Sequence, residues 1–119
     1  MNIDHHEIQK FAAQAQDWWN PQGSCRPLHQ INPLRLRFIQ QHTVLENKKA
    51  LDVGCGGGIL TEALSLSGAR ASGLDMAEAS IEVAKQHAKK QNLKIDYYCQ
   101  PLEEFTKTHK ASFDKSLLS

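Results

Sequence analysis

The chain has 119 residues, 40% of them apolar and 23% charged, with seven Gly and four Pro. This composition fits one ordinary globular domain and excludes a disordered or collagen-like chain. Fourteen basic against thirteen acidic side chains leave a formal charge of +1, too little for a strong sequence-independent pull on nucleic acid. The longest uninterrupted apolar runs, such as Tyr97-Tyr98-Cys99, fall far short of the roughly 20 residues of a membrane-spanning helix.

The first residues, MNIDHHEIQKF, are polar and acidic where a secretory signal would be basic and then apolar, which predicts a cytoplasmic protein, at most attached to a surface. Residues 4–19 are expected to form a helix with Asp4 as N-cap and Glu7 completing a capping box. Ile8, Phe11, Ala12, Ala15 and Trp18 or Trp19 recur at helical spacing. That apolar face packs on the rest of the domain, forms a lid over a ligand or faces a membrane surface, and Trp18-Trp19 is either core or a substrate platform. His5-His6-Glu7 is a solvated helix start rather than a metal site, because neighbouring helical residues point about 100° apart.

Residues 20–24 read as a loop. A second helix is expected from Asn32-Pro33 to about His42, with Asn as cap and Pro in the first turn. From residue 50 the pattern alternates: a strand at 50–53, a helix at 59–67, a strand at 69–74 running into Asp75, a helix at 77–91 and a strand at 95–99. A turn or short helix at 101–105 follows, and Ser112-Phe113-Asp114 opens a fourth strand. Strands separated by helices predict right-handed crossovers and a parallel sheet, an α/β fold. Lys85, Lys89, Lys90 and Lys94 form a solvated helix stripe. Cys25, Cys55 and Cys99 contain no C-x-x-C pair and are expected as reduced thiols, and no Cys or His spacing suits zinc.

The informative segment is Leu51-Asp52-Val53-Gly54-Cys55-Gly56-Gly57-Gly58-Ile59-Leu60. A strand enters it and a helix leaves it, the context that gives a glycine-rich loop meaning. Glycine permits positive φ and lets a ligand lie against bare backbone at a helix N-terminus. The pattern is Asp52-x-Gly54-x-Gly56-x-Gly58. A dinucleotide fingerprint would put a third small residue where Ile59 stands, which disfavours a nicotinamide-dependent oxidoreductase. A P-loop would need G-K-[ST]. Asp75 follows Gly54 by 21 positions, where a carboxylate can accept hydrogen bonds from both ribose hydroxyls; the same Asp can instead cap the next helix. Loop and acid together describe a nucleoside ligand without a pyrophosphate.

Residues 52–58 and Gly73-Leu-Asp75 resemble the first two motifs of the class I S-adenosylmethionine-dependent methyltransferases. D-H-x-E-I-x-K-F from Asp4, the W-W pair, P-L-H-x-I-N-P-L-R-L from Pro27 to Leu36 and L-D-V-G-C-G-G-G-I-L resemble, more narrowly, the ubiquinone biosynthesis O-methyltransferase family over about residues 3–114. The resemblance implies a Rossmann-like fold, here an incomplete parallel sheet preceded by N-terminal helices. Residues 1–47 would be a helical segment and residues 48–119 the first part of the cofactor domain.

It also implies the site residues. Gly54, Gly56 and Gly58 would pass over the methionine half of S-adenosyl-L-methionine, and Asp75 would hold the ribose. Asp52 would orient the ammonium group or support the loop, and Arg35 would help bind the cofactor. Gln100, Leu102 and Glu103 would meet the adenine. Arg35 can also be read as an exposed cation paired with a nearby acid, and His29 as a structural histidine rather than a base.

The implied reaction is methylation of a ring hydroxyl on a polyprenylated phenol, catechol or quinol intermediate. Peripheral contact with the inner membrane and assembly with other proteins of ubiquinone synthesis are further implications. The family's E-x-x-E-H segment, associated with a divalent metal such as Mg²⁺, does not occur in this sequence, so no metal ligand and no catalytic base are assigned. Family members are about twice as long, and the ending Lys115-Ser116-Leu117-Leu118-Ser119 is expected to reflect truncation. The alternative is therefore an inactive remnant that at most binds the cofactor.

Overall fold

The computed structural model describes residues 13–109. The Asp4–Glu7 capping box, Ile8, Phe11, Ala12 and the expected fourth strand at 112–114 lie outside them. Helix α1 (residues 13–19) and α2 (Arg26–His42) precede β1 (Lys49–Val53), α3 (Ile59–Leu66), β2 (Arg70–Asp75), α4 (Glu78–Lys90), β3 (Asp96–Cys99) and α5 (Leu102–Thr108).

Helix α2 begins before the expected Asn32. Pro27 occupies its first turn and Pro33 lies inside it. Pro27 suits that first turn, whereas Pro33, expected in the first turn, is an interior residue of the longer helix. The earlier start prevails although Cys25, the N-cap, makes no side-chain capping bond. The connection from α1 is closed by side chains: Asp17 Oδ1 accepts the Ser24 amide at 3.0 Å, and Asn20 Oδ1 accepts that of Gln22.

The three strands are parallel in the order β1-β2-β3, with Asp52 opposite Gly73 and Asp75 opposite Cys99. Successive strand residues face opposite sides, and the two faces are covered separately. Ala50 and Ala71 pack with Leu60 and Leu64 of α3, and Leu36 and Ile39 of α2 add to this cluster. On the same face Tyr97 packs with Cys55 and with Ile81, Ala84 and Ala88 of α4. Gly73 leaves room for the Tyr97 ring, since a Cβ there would stand 2.5 Å from it. On the opposite face Leu51 and Leu74 meet Phe105 of α5, with Val53 and Tyr98 beside them.

No helix among the described residues is long and apolar enough to cross a membrane. Phe105 is 2% exposed and is the main side chain α5 contributes to its face. Phe105→Ala is expected to destabilise the fold by about 3–5 kcal/mol, read as a lower urea midpoint with the slope unchanged.

Candidate functional site

The site forms at the carboxyl ends of β1 and β2. Beyond Val53 the chain turns through Gly54, Gly56 and Gly58 with φ of 74°, 55° and 92°, a region that costs an ordinary L-residue about 1–2 kcal/mol. The Gly54 and Cys55 amides both donate to the Leu74 carbonyl, at 2.7 and 3.0 Å, and the Gly58 amide closes the turn onto Cys55 O. Gly58 then serves as N-cap of α3.

Two carboxylates frame the loop. Asp52, buried at the end of β1, accepts the Thr61 hydroxyl of α3 at 2.7 Å. Asp75 Oδ2 accepts the Gly56 amide at 2.9 Å, and its Oδ1 accepts the Ala77 amide at 2.8 Å. Asp75 thus starts the turn into α4 and supports the loop at once. A carboxylate has about four lone-pair positions, so each oxygen keeps capacity for one further donor.

A cavity of about 210 Å³ opens beside the loop, lined among others by Trp18, Asn32, Arg35, Asp52, Gly54 and Gly56. Four of the sequence-derived residues therefore meet at one place: Arg35, Asp52, Gly54 and Gly56. Asp75 joins them through the Gly56 amide, and Gly58 through the helix it caps. Leu102 and Glu103 are exposed in the first turn of α5 and do not line this cavity; Gln100, half-buried before them, does not either. Arg35 is exposed and makes no ion pair among the described residues, so the acid partner considered from sequence is not seen there.

The two tryptophans, both half-buried, lie against the glycine loop. Trp18 lies on the outer face of the loop: a Cβ at Gly57 would stand 2.2 Å from its Nε1, and one at Gly56 would stand 2.6 Å from its ring. Trp19 donates its indole N–H to the Gly57 carbonyl at 3.0 Å. The fourth glycine, Gly57, has no positive φ and is needed because Trp18 covers it. Of the loop glycines, Gly54 alone has no described residue within 4 Å of where a Cβ would stand. His29 Nε2 lies 2.9 Å from the Trp18 carbonyl; a carbonyl only accepts, so this nitrogen carries the proton and holds structure.

Sequence reading did not single out Glu62 and His87, whose Oε2 and Nδ1 are hydrogen-bonded at 2.6 Å between α3 and α4. Burial pushes the Glu62 carboxyl above its ordinary range, and the hydrogen bond from His87 opposes this. Burial, followed by the Asp52 and Asp75 charges, pushes the Cys55 thiol up to about 12. Among the described residues no group of three or more His, Cys, Asp or Glu is placed to hold a metal ion.

The methyltransferase domain family matches residues 50–119. A ubiquinone biosynthesis O-methyltransferase of Coxiella burnetii is 56% identical over 106 residues, which are 89% of this chain and 45% of that protein. One from Idiomarina loihiensis is 51% identical over 95% of this chain and 47% of its own length. The chain spans about half the length of the curated relatives it matches. Among solved structures, the magnesium protoporphyrin IX methyltransferase of Synechocystis PCC 6803 with bound S-adenosylmethionine superposes with a TM-score of 0.57 at 20% identity, over 86% of this chain and 45% of that one. That likeness concerns the fold.

Two outcomes follow from the loop's surroundings. Gly57→Ala is expected to displace Trp18, red-shifting tryptophan emission and costing about 1–3 kcal/mol by overpacking; Gly54→Ala is expected to cost about 1–2 kcal/mol by backbone strain alone, without an emission shift. The thiolate is the nucleophile, so a thiol pushed up to about 12 stays protonated at pH 8. A disulfide reagent is then expected to label exposed Cys99 first and Cys55 only on unfolding.

Proposed function

This chain belongs to the methyltransferase domain family, and from that premise we propose that its glycine loop binds S-adenosylmethionine for methyl transfer to a ring hydroxyl of a polyprenyl phenol or catechol in ubiquinone synthesis. The observation that carries the reading is the cavity in which a cation, Arg35, and a buried carboxylate, Asp52, stand with the open backbone of Gly54. An amino acid has one carboxylate and one ammonium group, and this lining has the complementary charges. A guanidinium suits a carboxylate by paired hydrogen bonds, which assigns Arg35 to that end and Asp52 to the ammonium.

The ribose falls to Asp75, whose oxygens each keep an acceptor position after holding Gly56 and Ala77. Bound there, the cofactor supplies an electrophilic methyl group on a sulfonium. A volume of about 210 Å³ is below the roughly 300–1,000 Å³ of a whole small-molecule site, which fits the methionine part with the nucleoside running outward past Asp75. Leu102 and Glu103 are proposed for the adenine on position along the chain alone.

The acceptor class rests on the relatives' names. It is supported by Leu28, Ile31, Leu34 and Phe38, exposed apolar side chains along α2 of which Leu28 lines the cavity. Spacing of three to four residues puts them on one helix face, a surface suited to a polyprenyl tail and to peripheral membrane contact. No described residue is assigned to a divalent metal.

Calorimetric titration with S-adenosylhomocysteine tests the reading. Saturable one-site binding is expected, weakened about 10–100-fold in Asp75→Asn, because a hydrogen bond to a charged group is worth about 1.5–3 kcal/mol. Absence of binding by the unaltered chain would overturn it.

A further inference from the structure

The loop is held from two sides. Beneath it, Leu74 O and Asp75 Oδ2 take the amides of Gly54, Cys55 and Gly56. Above it, the side-chain hydrogen bond comes from Trp19 to the Gly57 carbonyl. The Gly57 carbonyl and the Gly58 amide belong to one planar peptide unit, and that amide closes the turn onto Cys55 O. A donor fixed on the carbonyl therefore fixes the closing bond, the N-cap of α3 and the orientation of the Gly56 amide beside Asp75.

Trp19 is itself held. Its ring stacks on His87 with centroids 3.6 Å apart and planes 2° from parallel, and His29 meets it edge-on at 5.9 Å. His87 Nδ1 is paired with Glu62 Oε2 at 2.6 Å, and the Glu62 side chain is 6% exposed. Burying a carboxyl is costly unless it is hydrogen-bonded, and apolar residues of similar volume would stabilise the helix contact as well or better. What an apolar pair would not supply is a fixed imidazole plane, and it is this plane that the indole follows.

We propose that Trp19 is a positioning residue for the cofactor loop: its indole N–H fixes the Gly57–Gly58 peptide, and the Glu62–His87 pair holds the indole in the plane required. The proposal rests on the reading that this loop binds S-adenosylmethionine. Affinity for the cofactor is then set partly by a relay from α3 through α4 and α1, none of whose three side chains lines the cavity beside Arg35 and Asp52.

The test uses the whole chain with S-adenosylhomocysteine as probe. The protein has two tryptophans, so the Trp19 indole N–H resonance is assigned by its loss in Trp19→Phe. In the unaltered protein it is expected to exchange slowly with solvent and to shift on saturation with the probe. Trp19→Phe keeps an aromatic ring against His87 and loses the donor; it is expected to bind the probe about fivefold more weakly, the worth of one net hydrogen bond. Glu62→Ala should show a similar loss and a faster-exchanging Trp19 resonance, while Glu62→Gln, which keeps an acceptor for His87, stays within about twofold of the unaltered chain.

Should Trp19→Phe fail to fold, the Glu62 pair of variants and the exchange rate decide the matter. If the unaltered chain binds the probe but the Trp19 resonance is unprotected and unmoved, or Glu62→Ala binds as Glu62→Gln does, the positioning role falls and the cofactor reading stands. If the unaltered chain does not bind at all, the cofactor reading falls and takes this proposal with it.

Discussion

The carboxylate of Asp75 joins the parts of this fold that matter for its site. One oxygen holds the Gly56 amide and the other the Ala77 amide, so one side chain at the end of β2 fixes both the loop leaving β1 and the start of α4. The parallel register places Asp75 one step beyond the Leu74 carbonyl, which already binds Gly54 and Cys55. Three consecutive loop amides are thus taken by two adjacent residues of the neighbouring strand. The glycines follow from this: a chain that must present three amides toward one strand end and still turn into a helix needs positive φ at several positions.

From β1 to β3 the sequence was legible to within about a residue at each end, because punctuation is dense there, whereas α5, expected as a turn or short helix at 101–105, runs on to Thr108. Gly54 ends β1, Gly68 ends α3, Asn92 with φ 59° follows α4, and Pro101 precedes α5. The start of α2 lies at Arg26, before the expected Asn32, with Pro27 in its first turn and Pro33 inside it; either start leaves Leu36 and Ile39 packed on the cluster of β1 and α3.

The site was legible in its charges and loop and illegible in its cover. Gly54, Gly56 and Asp52 stood out in the loop pattern and Arg35 was implied by the family resemblance, and the four meet at one cavity. The Trp19 bond to Gly57 spans 38 residues and the Glu62–His87 pair spans 25, and no periodicity links such positions. Gly57, which the loop pattern left unassigned, has its reason there: its missing Cβ makes room for Trp18. Among the described residues, nothing stands against Gly54.

The two charges of the cavity are held very differently. Asp52 is buried on a strand and bound to Thr61, so its position is set before any ligand arrives. Arg35 is exposed on α2, a helix with no fully buried residue. Ordering a long side chain such as Arg costs up to about 2 kcal/mol of rotamer entropy, while a strand-fixed carboxylate has already met that cost in folding. In the proposed reading, a zwitterion entering this cavity would find its ammonium site formed at Asp52 and would order Arg35, which already lines the cavity, at its carboxylate. That asymmetry makes α2, rather than the sheet, the element whose packing binding would strengthen, and it places the gain in order beside the exposed apolar stripe of Ile31, Leu34 and Phe38.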